Sequence, residues 1–126
     1  MTSEHTNRAH AVSWTDLPTD RPMDLIARQR IVGGHMMISR VLLSAGFSVP
    51  THRHANEQFA VIVLGKVRFD LGPESDPASE SVTLGPGEVL VVPPNAPHGA
   101  TAIEDTLVLD VFSPPSESTG VDRTDA

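Results

Sequence analysis

Residues Gly46 to Gly65 read GFSVPTHRHANEQFAVIVLG, and the fold turns on how this run is laid out. Its second half, FAVIVL, is apolar, rich in β-formers and closed by Gly65, the pattern of a core strand. Just ahead of it stand His52, His54 and Gln58. In an extended chain successive side chains alternate between faces, so positions 52 and 54 look the same way, about 7 Å apart, which is a chelating distance. If the chain stays extended through Asn56, Gln58 shares their parity and Glu57 faces away; one bulge between Ala55 and Glu57 would reverse that choice. A His-x-His pair in a loop also suits a plain solvated turn. Its place at the mouth of a strand, with His98 downstream behind a strand punctuated by Gly and Pro, favours a site.

The alternation extends on both sides of this run. Upstream, Met23 to Val32 alternates loosely, Gly33-Gly34 suits a hairpin turn, and His35 to Ser44 is a strand. Met36, Ile38, Arg40 and Leu42 share one face of it, and Met37, Ser39, Val41 and Leu43 the other. Arg40 is then an edge residue with a snorkelling stem, or it points at an anionic ligand. Downstream, Val67, Phe69 and Leu71 alternate with Lys66, Arg68 and Asp70, which puts Arg68 in solvent. A polar loop, GPESDPASE, leads to a short strand at Val82 to Leu84 and a Gly85-Pro86-Gly87 turn. Val89 to Val92 is apolar on both faces, as expected of a strand inside a sandwich or barrel, and PPNAP then bends the chain before His98. In the last strand, Thr106 to Phe112, Leu107, Leu109 and Val111 oppose Val108, Asp110 and Phe112. Asp110 among such neighbours either faces water or sits in a polar cavity with a partner.

The 126 residues suit one domain with a single core. Residues 1–22 are polar, hold Pro18 and Pro22, and form an arm that Val12 and Trp14 can pin to the body; 23–113 form the folded domain; 114–126 are a polar tail expected to be disordered. Within the arm His5 and His10 are expected in solvent, as is His35 at the hairpin turn. With no Cys, a metal must take His, carboxylate or amide ligands. A net charge of -7 and the lack of a Lys/Arg cluster argue against a nucleic-acid surface and leave a small soluble ligand. The first residues lack the apolar core of a secretory signal, and no apolar run approaches the ~20 residues needed to span a bilayer, so the cytoplasm is the default location.

Two spaced motifs carry a resemblance. Gly46, five residues, His52-x-His54, three residues, Gln58, six residues, Gly65 is similar to the first motif of the cupins, with Gln in the usual place of Glu. Gly87, five residues, Pro93-x-Asn95, two residues, His98 resembles the second motif. Asn95 replaces a usual Gly, a swap that Asn tolerates because it enters left-handed conformations more easily than other residues. Ala102 replaces a usual Asn. The resemblance covers most of residues 35–112 and implies an all-β, single-domain cupin β-barrel of jelly-roll type, in which His98 reaches the site from a different strand than His52.

The wording HANEQ, PPNAPHG and EDTLVLDVFSPP is similar to the pectin-degradation branch of the cupins, metal-dependent enzymes that open unsaturated uronates to the linear keto form. That branch implies His52, His54, Gln58 and His98 as ligands of one divalent transition metal, with Asp110 and Phe112 lining the substrate pocket. Zn, Ni, Co, Fe and Mn all suit such a donor set. A neutral Gln leaves the ion its full charge, which favours polarising a hydroxyl or carbonyl over stabilising a higher oxidation state. Where the branch tends to carry an Arg after Ser-Pro-Pro, this chain has Ser116, and Arg28, Arg30 or Arg40 is left to replace it. A lyase or isomerase-like enzyme on a small sugar acid or related hydroxy-carbonyl compound is therefore expected, with a metal-dependent dioxygenase on a small organic substrate or a non-catalytic small-ligand or sugar-binding module as alternatives. Phe59, Val61 and Val63 oppose the metal-facing parity and need cover from the N-terminal strands or a second subunit, which points to a homodimer.

Overall fold

Wherever β-formers alternate with polar residues between Gly and Pro clusters, the chain is extended. The computed structural model describes residues 8–115 and contains nine strands. They are β1 (Ile26–Val32), β2 (Met37–Leu43), β3 (Ser48–His52), β4 (Glu57–Leu64), β5 (Val67–Leu71), β6 (Glu80–Leu84), β7 (Val89–Val92), β8 (His98–Ala102) and β9 (Thr106–Ser113). All ladders are antiparallel and build two sheets, ordered β1-β2-β9-β4-β7 and β3-β8-β5-β6. Consecutive strands such as β2 and β3, or β3 and β4, lie in different sheets, so the chain repeatedly crosses between the two layers of an all-β jelly roll. The first seven residues and 116–126, and with them His5, Ser116 and nearly all of the polar tail, lie outside the described residues.

The core lies between the sheets and is formed by the inward parity of each strand. Val41, Leu43, Ala60, Ile62, Val92 and Val108 come from the five-stranded sheet, and Val49, Val67, Phe69 and Ala102 from the four-stranded one. Burying such side chains is worth about 1.5–3 kcal/mol each for the larger ones, the main term holding the layers together. Gly65, at φ +94, makes the β4–β5 turn; a Cβ there would collide with the backbone of Asp105 and Thr106. Asn95 has φ +64, the left-handed conformation expected where the cupin motif usually places Gly.

Three expectations about the periphery change. Val12 is exposed and Trp14 only half-buried, and the arm is held mainly by polar contacts. Gln29 Nε2 donates to the carbonyls of Trp14 and Leu17 at 2.6 and 3.1 Å, fixing a 3-10 turn at Trp14–Asp16, and Asp20 exchanges backbone hydrogen bonds with Arg28. Arg40 lies on β2, an interior strand, on the parity facing away from the core, with Nη1 3.5 Å from Gln29 Oε1; it is neither an edge residue nor aimed at a ligand between the sheets. Strand β7 is an edge strand, and its outward Val89 and Val91 are exposed, so its second apolar face is not covered among the described residues.

Candidate metal centre

His52 ends β3 and His98 begins β8, and the antiparallel ladder sets the two directly opposite each other, with ring centroids 4.4 Å apart. His54 follows β3 in irregular backbone, not in a strand, and its ring lies 5.0 Å from that of His98 and 5.6 Å from that of His52. A ligand atom from each of the three lies within 4.8 Å of the others. The bend at Ala55 and Asn56 carries the chain across to the other sheet, where Gln58 is buried and Glu57 is exposed. Gln58 therefore faces the histidines, as expected, although not through one continuous strand. The loop before His98 is tied to this bend, because Asn95 N–H donates to the His54 carbonyl at 2.7 Å.

Backbone carbonyls set the tautomers. His52 Nδ1 donates to Pro50 O at 2.9 Å, His54 Nδ1 to Asn56 O at 3.0 Å and His98 Nδ1 to Ala96 O at 2.9 Å. A carbonyl only accepts, so each Nδ1 carries the proton and each Nε2 presents a lone pair. Burial holds the His98 imidazole down to about 4, opposed by its bond to Ala96 and reinforced by the neighbouring imidazoles. Burial likewise lowers His54, opposed by its bond to Asn56. Gln58 Nε2 donates to Asp110 Oδ1 at 2.9 Å, which turns its Oε1 toward His54 Nε2 at 3.2 Å. Two acceptors thus face each other at hydrogen-bond distance with no proton between them. Three imidazole lone pairs and an amide oxygen converging without a donor is a donor set that a divalent transition metal fits.

Behind this cluster lies a cavity between the sheets. His52, Gln58, His98, Asp110 and Phe112 line it, along with apolar core residues. Phe112 is buried and stands edge-on to His54 at 5.9 Å. Burial pushes the Asp110 carboxyl up to about 6, with the Gln58 hydrogen bond pulling the other way. All six residues expected at the site are thus brought to one place.

One participant was not apparent in the sequence. Asn56 is buried and supplies the carbonyl that orients His54, while its own Nδ2 donates to Pro114 O at 2.5 Å. Its signal is only that of a polar residue before a strand. Of the three arginines considered, Arg28 lines the cavity, Arg30 is half-buried with Nη2 3.8 Å from Asp20, and Arg40 is on the outer face. Among the described residues no helix is long and apolar enough to cross a membrane.

Comparison with known proteins identifies the fold and the family. The profile of the cupin domain matches residues 39–112. No curated protein sequence matches the chain. KdgF from Halomonas sp. has a similar structure, with a TM-score of 0.72 and 28% identity over 82% of this chain and 93% of that one. An RmlC-like cupin from Shewanella frigidimarina is similar at a TM-score of 0.76 and 21% identity, over 87% of this chain and 95% of that one. Oxalate decarboxylase from Bacillus subtilis matches at 0.73 and 20%, but 84% of this chain spans only 30% of that one. A profile that covers both histidine motifs, and solved cupins with the same two-sheet fold, place the chain in the cupin family.

Proposed function

We propose that this cupin is a metal-dependent enzyme that opens the ring of a small unsaturated sugar acid and converts it to the linear keto form, with His52, His54, Gln58 and His98 as the metal ligands. The observation that carries this reading is the Gln58 amide, whose oxygen turns to the imidazole cluster while its nitrogen holds Asp110 at 2.9 Å. One residue thereby couples the ion to a half-buried carboxylate that lines the cavity. When bound, the metal supplies Lewis-acid polarisation of the substrate's hydroxyl and carbonyl oxygens.

The chain's own residues do the rest. Asp110 accepts the proton of the anomeric hydroxyl as the ring C–O bond breaks, and a proton returns to the ring carbon that becomes saturated when the enol turns to ketone. Atoms and electrons balance as an isomerisation, and no oxidant is needed. A carboxyl held near 6 is suited to taking and returning a proton close to neutral pH. Phe112 forms an apolar wall beside His54 and limits water at the reacting end.

The resemblance of HANEQ and EDTLVLDVFSPP to the pectin-degradation cupins and the 28% identity to KdgF support this reading. The test is to incubate unsaturated galacturonate with protein loaded separately with Zn, Ni, Co, Fe or Mn, under air and under nitrogen. Appearance of the ring-opened ketone at equal rates in both atmospheres is the expected result. Oxygen uptake that turnover requires would replace this reading with an oxidative one.

The same reading pairs two copies through the outer face of the five-stranded sheet. Phe59 and Val61 stand opposite Val91 and Val89 on that face, and Phe59, Val89 and Val91 are 43%, 45% and 57% exposed. Side chains of this type in a contiguous patch are the usual material of a subunit contact.

A further inference from the structure

Strand β1 carries Ile26, Arg28 and Arg30 on its inward parity, and the ladder places Arg28 opposite Val41, which in turn stands opposite Val108. Arg28 is thus the one charged side chain in an otherwise apolar row. It is 5% exposed and lines the same cavity as His52, Gln58, His98 and Asp110. Among the described residues lining the cavity it alone bears a permanent positive charge.

A guanidinium is costly to bury, and replacing a buried ion pair with packed apolar residues is often neutral or stabilising. Here the chain instead builds a support for it. Asp20 takes Nε at 3.2 and 3.1 Å and Nη2 at 3.0 Å, and the backbones of the same two residues exchange N–H···O bonds of 2.9 Å. The carboxylate side chain of Asp20 is 46% exposed, so the clamp reaches the guanidinium from outside and leaves its orientation fixed. A planar, pre-oriented guanidinium in a cavity is the side chain best matched to a carboxylate.

Resting on the ring-opening reading above, we propose that Arg28, positioned by Asp20, binds the carboxylate of the substrate, so that this cavity selects small organic acids over neutral sugars. The carboxylate lies toward β1 and the hydroxyl and carbonyl oxygens toward the histidines. From the row of Phe112 and Gln58 to the row of Val108 and Arg28 is four residues along β9, about 13 Å of strand. Side chains that line the cavity from both ends shorten this span further. The protein's net charge of -7 repels an anion in general, so recognition draws on local positive charge, which Arg28 supplies at the end of the cavity away from the histidines.

The test compares binding of D-galacturonate and of its neutral counterpart D-galactose to the zinc-loaded protein by calorimetry. Wild type is expected to bind galacturonate roughly tenfold or more tightly than galactose. Arg28→Gln should weaken galacturonate roughly 10- to 100-fold and leave galactose and zinc content unchanged. Arg28→Lys, which keeps charge and stem, should lose a smaller factor, and Asp20→Asn an intermediate one. Should Arg28→Gln not fold, the lysine variant decides, and wild-type galacturonate affinity in it overturns the proposal. Equal loss of both sugars in any folded variant overturns it too, since that is what a purely structural Arg28 would give. So does a wild type that does not distinguish the two. Binding is separable from turnover. Arg28-dependent selection of galacturonate without conversion of the unsaturated uronate removes the ring-opening reading and leaves this one, whereas conversion with unchanged kcat/KM in Arg28→Gln does the reverse.

Discussion

Gln58 donates its amide nitrogen to Asp110 Oδ1 at 2.9 Å, a bond between neighbouring strands that decides which way the amide oxygen points. The oxygen is left toward the imidazole cluster, 3.2 Å from His54 Nε2. A carboxylate at position 58 would have no proton to offer Asp110 and would place two like charges in contact. Gln58→Glu should therefore tighten metal binding, lower turnover about tenfold or more and move the acid limb of the rate profile upward. An unchanged pH profile in a metal-loaded Gln58→Glu protein would show that the two side chains are not coupled.

Ligand and proton-transfer roles separate by variant. His52→Ala and His98→Ala each remove an Nε2 lone pair from the cluster and should lower metal affinity about 100-fold or more. Asp110→Ala should retain metal and lose roughly 10²- to 10⁴-fold in turnover. Metal content by atomic emission beside initial rates checks this; comparable metal loss in all three would remove the distinction.

The raised Asp110 carboxyl has a consequence for the metal-free protein. A group with a folded pKa of about 6 against an ordinary 3.8 binds its proton more tightly when folded. Its contribution to stability is fully present below about 3.8 and is lost as pH rises through about 6. Asp110→Asn should hence be more stable than wild type at pH 7.5, on the order of 2–3 kcal/mol, with the gap closing toward pH 4. His98 and His54 act in the opposite sense, losing stability as pH falls below the ordinary imidazole range, but both proteins carry them and the difference cancels. Urea denaturation across this range is the measurement, and a gap independent of pH would contradict it.

Gly65 tests the turn that joins the two sheets. Gly65→Ala forces a Cβ into the Asp105 and Thr106 backbone at a positive φ and should cost about 2–4 kcal/mol. Gly34→Ala, with open space around it, should cost less than about 1 kcal/mol. Similar melting temperatures for the two would exclude a steric role for Gly65.

The exposed outer face predicts assembly. Val91→Asp should convert a dimer to a monomer in light scattering without changing metal content, because Val91 points away from the cavity. A wild type that is monomeric at micromolar concentration would leave that face without a partner of its own kind.

Much of this was legible in residue order. Strict alternation placed Val67 to Leu71 and Thr106 to Phe112 as strands, the glycines and prolines marked the turns, and the two histidine motifs named the residues that gather. A repeat of two residues divides a strand into two faces but does not say which face looks inward when both are apolar. That choice depends on pairing between distant strands, and pairing sent Arg40 outward, put Arg28 in the cavity and left Val89 and Val91 on an edge. Gln58 turned inward for a similar reason: the chain leaves one sheet after His52 and enters the other at Glu57, and the crossing sets the facing that parity along a single strand was expected to set. Sequence by itself determined which side chains offer ligand atoms and where the chain turns, because ligand types and turn-formers are local properties. Only the tertiary structure decided that His52 meets His98 across a ladder and that Asp20 clamps Arg28, because register is a contest among all inward faces for one core.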